Sequence, residues 1–424
     1  MYKSAILRWF FPLVGVCIMY SAPLSAESLY FPALFNISAD STENILLVNK
    51  SEQELYVLNS PAAGELQVLK KYRITTGRVN GNKQVEGDLK TPDGIYRIVD
   101  LLPGKNLVPK YGPMAFVLNY PNFVDRKLGR TGGGIWIHGR DEEIRDYLTE
   151  GCVSLNNSNL QELKSYIQIN NTQVVIDDTL QVLTRKEYEK LRQQWALKFT
   201  GWVDSWEQGD TQTYFSYYSP LFQDGDLDLE GFKEKKRYLE RVYGWKQVSA
   251  DDVIVLHSAE ETILSFTQEY YCPNFYSVGE KTLTLIPREH HWEIIAEDYS
   301  PTRPTLWKEQ FLRDFVAHWI TQWESGNFDR YIALYDTTFQ TTDYNYHSWA
   351  EYKRGILAQA EDISVNASDF SYRSTGTMEW EVTFVQDYTA DNYSDYGRKS
   401  ITVRGYPDEL KIIQEKWSPI TRNE

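Results

Sequence analysis

The sequence predicts a mostly-β N-terminal domain followed by two copies of one α+β domain. Three observations predict it. Short apolar runs separated by turn residues recur from Ile45 to Ile176, as β-strands do. From Lys186 the apolar spacing changes to a helical period, with Trp195, Phe199, Trp202 and Trp206 on one face. The chain then repeats itself: Trp202-Val203-Asp204-Ser205-Trp206-Glu207-Gln208-Gly209 matches Trp319-Ile320-Thr321-Gln322-Trp323-Glu324-Ser325-Gly326. A length of 424 residues exceeds one ordinary domain. With 42% hydrophobic and 24% charged residues the chain packs rather than staying disordered. A net charge of -15 opposes binding to nucleic acid and to anionic membrane surfaces.

Residues 1–26 read as a signal peptide. Lys3 and Arg8 precede or open an apolar run from Leu7 to Tyr20, and Pro23-Leu24-Ser25-Ala26 offers a cleavage site after Ala26. The run is short for a membrane span, so the mature chain is expected in the periplasm or cell envelope. Beyond this leader stand two cysteines, Cys152 and Cys272, too few for a disulfide framework. A free thiol kept in an oxidising compartment points to chemistry.

Residues 27–43 are an ordered lead-in without periodicity. Ile45-Leu46-Leu47-Val48 and Leu55-Tyr56-Val57-Leu58 form a hairpin around Asn49-Lys50-Ser51-Glu52, and Leu66 to Thr75 is a long strand. Pro92-Asp93-Gly94 is a turn: proline presets φ and glycine takes the positive-φ position. Strands follow at Ile95 to Val99, Phe116 to Tyr120 and Ile135 to His138. A short helix opens at Asn157 or Ser158, and Val174-Val175-Ile176 closes the sheet, giving a domain over 44–178. A linker over 179–189 leads to the repeat, with copies at 190–302 and 307–420. The unit is about 117 residues, far longer than a solenoid repeat. The match carries Tyr214 onto Tyr331, Tyr218 onto Tyr335, Phe222 onto Phe339 and Lys236-Arg237 onto Lys353-Arg354. Shifted by one residue, it carries Phe266 onto Phe384 and Glu297 onto Glu415.

Two residues carry candidate chemistry. His138 ends a buried strand, and Cys152 follows Gly151 in a turn. A thiol near neutral pH is mostly protonated, and a nearby histidine takes its proton and stabilises the resulting ion pair. His138 is the only histidine of the β domain. Gly139 and Gly151 flank the pair and admit close backbone approach, and the amides around Gly151 and Cys152 suit a developing oxyanion. Gly151, Ser154, Arg130 and Trp136 are candidate substrate contacts. Arg126, Lys127 and Arg130 face either an acidic peptide or solvent as a charged turn. His290-His291 lacks partners at metal-ligand spacing and reads as an exposed hairpin. Gly132-Gly133-Gly134 is followed by a strand without Lys-Ser/Thr, so it is no phosphate loop. No metal or other cofactor is implied.

His138-Gly139, then Thr149-x-Gly151-Cys152-Val153, with Gly87-Asp88 and Thr91-Pro92-x-Gly94-x-Tyr96 upstream, resembles the L,D-transpeptidase (YkuD-type) catalytic domain over residues 44–178. The resemblance implies a β-sandwich-like fold acting on peptidoglycan stem peptides, with Cys152 as nucleophile, His138 as base and the Gly139 carbonyl orienting the imidazole. Family members usually carry an arginine two residues after the cysteine; here that position is Ser154. The pattern is closer to the L,D-carboxypeptidase subgroup that trims tetrapeptides to tripeptides and helps set cell shape. The repeats, with Trp-x-x-x-Trp-x-x-Gly and Tyr-x-x-x-Tyr, resemble the cone-shaped nuclear-transport-factor-like (SnoaL-like) fold. That fold implies a pocket, here for a cell-envelope protein or peptide.

Overall fold

The computed structural model describes Phe31 and residues 34–36, 44–59, 67–289, 291–391 and 393–421. The expected leader and His290 lie outside them. Among the described residues no helix is long and apolar enough to cross a membrane.

The N-terminal domain is built on β2 (Asn44–Asn49), β3 (Glu54–Asn59), β4 (Gln67–Arg73), β5 (Gly94–Pro103), β6 (Met114–Leu118), β7 (Trp136–Arg140), β8 (Val153–Asn156) and β9 (Gln173–Asp177). Their order is β4-β3-β2-β9-β5-β6-β7-β8. The pairs β2–β9 and β7–β8 are parallel. Strand β2 is apolar at every central position because both its faces are buried. Leu46 and Val48 pack with Leu55 and Val57 inside the domain. Ile45 and Leu47, with Tyr56 and Leu58, pack instead against the following domain. Two short helices complete the unit, α1 (Phe123–Lys127) and α2 (Asn157–Leu163).

Helix α3 (Arg185–Glu207) begins inside the stretch expected as a linker. Thr184 and Glu187 form a reciprocal capping box that starts it there. The first repeat continues through α4 (Thr211–Ser216), β10 (Tyr218–Asp224), β11 (Leu227–Asp228), α5 (Leu229–Val242), β12 (Gln247–His257), β13 (Thr262–Tyr271), β14 (Phe275–Arg288) and β15 (His291–Pro301). The second comprises β16 (Leu306–Trp307), α6 (Lys308–Glu324), α7 (Phe328–Ile332), α8 (Tyr346–Leu357), β17 (Ser364–Gly376), β18 (Glu379–Ala390), β19 (Tyr393–Arg404) and β20 (Lys411–Pro419). Strands β12 to β15 and β17 to β20 run antiparallel in sequence order, each behind its helices.

The duplication reaches individual hydrogen bonds. Trp202 Nε1 donates to Tyr218 Oη at 3.2 Å, and Trp319 Nε1 to Tyr335 Oη at 3.1 Å. The Tyr218–Tyr214 and Tyr335–Tyr331 hydroxyls are each 2.6 Å apart. Both networks end on a buried Glu–Lys pair, Glu297–Lys281 and Glu415–Lys399.

The lead-in is more than a lead-in. Leu34–Asn36 forms β1 and pairs antiparallel with Ile254–Leu256 of β12, on the edge of the first repeat's sheet. Arg130 corrects a further expectation. It neither faces solvent nor substrate: it is 8% exposed and joins Asp125 at 3.0 Å to Glu260 of the first repeat. Lys127 likewise donates to Gln223 Oε1 across the same boundary, at 2.5 Å. These basic residues hold two domains together. His291 opens β15 and pairs with Glu293 at 3.1 Å.

Candidate active site

Strand pairing places the two candidate residues side by side, on or next to neighbouring strands. The parallel register of β7 and β8 sets Ile137 beside Val153 and His138 beside Ser154, so Cys152, one residue before β8, lies next to Trp136. Gly151 makes the turn into β8 at φ +130°, and a Cβ there would meet the Lys90 carbonyl oxygen at 2.8 Å. Thr149 ties this turn down. Its hydroxyl donates to the Cys152 carbonyl at 2.6 Å and accepts from the Gly151 N–H at 3.2 Å. The Gly151 amide, expected as an oxyanion donor, is therefore already engaged.

His138 Nδ1 lies 2.8 Å from the Gly139 carbonyl oxygen. That contact defines the tautomer: Nδ1–H donates, and Nε2 is left as the acceptor. A Cβ at Gly139 would meet Asn157 Oδ1 at 2.2 Å and Pro113 Cδ at 3.0 Å, so a larger residue there would displace the Asn157 side chain. Tyr111, in the loop after β5, sets its ring edge-on to the imidazole, with centroids 4.9 Å apart and planes at 88°. It also packs on Trp136 at 5.1 Å. Trp136 is half-buried and walls the site beside Cys152.

Burial acts oppositely on the pair. It lowers the His138 pKa to about 4, with the Gly139 carbonyl opposing and Arg140 and Lys110 adding to the fall. It raises the Cys152 thiol to about 11, against the Trp136 backbone amide and Lys110. The thiol donates to the Gly134 carbonyl at 3.4 Å rather than to His138. The resting site thus holds a neutral thiol and a neutral imidazole, not the ion pair anticipated from sequence.

Ser154, expected as a substrate contact, also departs from expectation. It is fully buried. Its backbone pairs in both directions with Thr75, at 2.8 and 2.9 Å, and its hydroxyl lies 3.5 Å from His138 Nδ1. Its side chain is turned into the interior beside the imidazole rather than toward the surface. Arg130 belongs to the domain boundary. The upstream signature is a brace. Thr91 Oγ1 accepts from the Gly77 N–H at 2.9 Å, and Asp93 pairs with Lys50 at 2.7 Å. Burial raises the Asp88 carboxyl, but Lys83 and the amides of Gln84, Val85 and Lys90 outweigh it and hold the pKa at about 2. Thr149 and Tyr111 are the site residues not singled out from sequence. Thr149 stood in the motif only as a pattern match, and Tyr111 carried no local signal. Cys272 is free and fully buried in the first repeat.

A histidine with a locked tautomer thus stands beside a thiol in a tethered glycine turn. Residues 43–176 match the L,D-transpeptidase catalytic domain, and residues 195–298 and 311–416 each match the Cds6 C-terminal NTF2-like domain. Residues 43–176 therefore form a domain of the L,D-transpeptidase catalytic-domain family, a family that acts on peptidoglycan stem peptides, and NTF2-like C-terminal domains follow it. Among solved structures, Bd1075 from Bdellovibrio bacteriovorus is 26% identical with a TM-score of 0.59, over 65% of this chain and 99% of that one. Pgp2 from Campylobacter jejuni, a helical cell shape determining protein, is 29% identical with a TM-score of 0.49, over 64% of this chain and 93% of that one. No curated protein matches the chain.

Proposed function

We propose that this protein is an L,D-carboxypeptidase of the periplasm or cell envelope that trims stem tetrapeptides to tripeptides. The observation that carries this reading is the His138 Nδ1–Gly139 carbonyl hydrogen bond, which leaves Nε2 as a base. With substrate bound, the Cys152 side chain turns from the Gly134 carbonyl toward Nε2. His138 takes the thiol proton as sulfur attacks the carbonyl carbon at the L-centre. The Gly151 N–H is occupied by Thr149, so the Cys152 N–H serves the developing oxyanion. The imidazolium then gives its proton to the departing D-residue amine. Water, deprotonated by His138, attacks the thioester and frees the tripeptide and Cys152.

Water is preferred to an amine acceptor because Ser154 replaces the usual arginine and is buried against His138. No guanidinium is present there to hold a carboxylate bidentately. Incubation with disaccharide tetrapeptide, read by mass, tests the assignment. Tripeptide with free D-alanine supports it. Crosslinked dimers or exchanged terminal D-amino acids would instead assign an L,D-transpeptidase. Absence of any product, with the full chain retained on intact sacculi, would indicate a wall-binding protein with a silent catalytic domain.

A further inference from the structure

Residues Pro109–Tyr111 form one turn of 3₁₀ helix between β5 and β6. Gly112 closes the turn at φ +68°, and its N–H donates to the Pro109 carbonyl at 3.0 Å. A Cβ at Gly112 would meet the Gly139 carbonyl carbon at 2.8 Å, so the turn packs on the residue that orients His138. This is what presents Tyr111 to the imidazole and to Trp136. Lys110, the residue before, is exposed, and its ammonium lies 4.9 Å from the Tyr111 ring centroid. A cation over an aromatic face is attracted to it, which restrains the long side chain. The Tyr111 and His138 centroids are themselves 4.9 Å apart. The ammonium is therefore no farther from the imidazole than those two steps combined.

The charges around the pair can be assigned one by one. Lys110 acts on both residues, favouring the neutral imidazole and the thiolate. Arg140 acts on His138, but it is paired with Glu142 at 2.5 Å. Lys83 acts on Cys152, but it is paired with Asp88 at 2.8 Å. Lys110 has no carboxylate at ion-pair distance among the described residues. Glu150, exposed in the turn before Cys152, opposes these cations at the thiol. Of the acids after β7, Glu143 pairs with Arg145 at 3.2 Å, and Asp141 accepts from Asn157. Lys110 is thus the unpaired cation beside the reactive residues.

Cleavage before the last residue of a peptide leaves its terminal carboxylate one extended residue, about 3.6 Å, beyond the scissile carbonyl carbon. That carbon must meet Cys152 Sγ, and the departing nitrogen must meet His138 Nε2. A carboxylate so placed falls within the span from the imidazole to the Lys110 ammonium. We propose that Lys110 reads the free terminal carboxylate of the stem peptide. This rests on the carboxypeptidase reading and names what confines cleavage to the last residue. The ammonium takes the carboxylate as a point charge, in place of the bidentate clamp that Ser154 cannot make. A stem whose last residue is already joined through an amide lacks that charge and is passed over.

The test compares disaccharide tetrapeptide with its C-terminal amide, each read by mass as tripeptide released. The parent is expected to favour the acid at least about tenfold in kcat/KM. Lys110→Met is expected to bring the acid-to-amide ratio to about one, and Lys110→Arg to keep the preference. The ratio cancels whatever the lost charge does to Cys152 and His138 themselves, since both substrates share them. Equal cleavage of acid and amide by the parent overturns this proposal and leaves the carboxypeptidase reading standing. So does a preference that survives in Lys110→Met. No tripeptide from either substrate overturns both.

Discussion

Cys152 and His138 are both neutral across the physiological range, because burial moves their pKa values apart to about 11 and about 4. Alkylation by iodoacetamide requires the thiolate. Its rate at Cys152 is expected to be slow at pH 7 and to rise about tenfold per pH unit through pH 9. A plateau reached below pH 7 would indicate a preformed ion pair. Turnover needs neutral His138, so kcat/KM should fall only as pH drops through about 4. Thr149 is the residue whose loss should be felt most beyond the pair. Thr149→Val leaves the Gly151 N–H and the Cys152 carbonyl without their partner, at about 1–3 kcal/mol for a buried unsatisfied group. Denaturant melts should show that loss together with a fall in activity, and Thr149→Ser should restore both. Ser154 shows where residue-level reading stops. The replacement of arginine is visible in the sequence, but its burial beneath His138 depends on pairing with Thr75, far away in the chain.

The turn between β12 and β13 is one of the elements that join the catalytic domain to the first repeat. Its Glu261 is 2% exposed and accepts from the Ile95 N–H at 2.6 Å and from Asn122 Nδ2 at 2.7 Å. Burial raises its pKa to about 8, with Asp125 adding and those two donors and Arg130 opposing. The folded state therefore holds a proton that the unfolded chain releases near the ordinary value of 4.5. The stabilisation is fully present below about pH 4.5 and is lost as pH rises to about 8, with a slope of up to about 1.4 kcal/mol per pH unit. Thermal melts from pH 5 to 8 should show the decline, and Glu261→Gln should flatten it. An unchanged slope in that variant would contradict the assignment. The hairpin of β2 and β3 was legible in the sequence because its apolar runs are uninterrupted. The roles of β1 and Arg130 were not, since β1 pairs with β12 and Arg130 with Glu260, each reaching another domain of the chain. A basic residue before a glycine run looks solvated until its remote carboxylate is known.

At the scale of the molecule, the three domains share apolar surface. The outer face of the catalytic sheet, with Ile45, Leu47, Leu58, Ile95 and Val175, belongs to one core with the first repeat. Tyr271 and Tyr276 of the first repeat pack into the core of the second, where Trp380 Nε1 donates to the Pro273 carbonyl at 3.0 Å. Excised residues 44–178 would expose that sheet face, and a contiguous apolar patch promotes association. Such a fragment is expected to aggregate by size-exclusion chromatography where the full chain does not; a monodisperse, folded fragment would contradict the shared core. The repeat was legible because its tryptophans and tyrosines keep their spacing, whereas the interfaces follow from how the copies pack. The central claim, acyl transfer by Cys152 with His138 as base, is tested most directly by the rate of tripeptide release from disaccharide tetrapeptide by the parent and by Cys152→Ala. A loss of at least about a thousandfold is predicted, and tripeptide release by Cys152→Ala at the parent's rate would contradict the account.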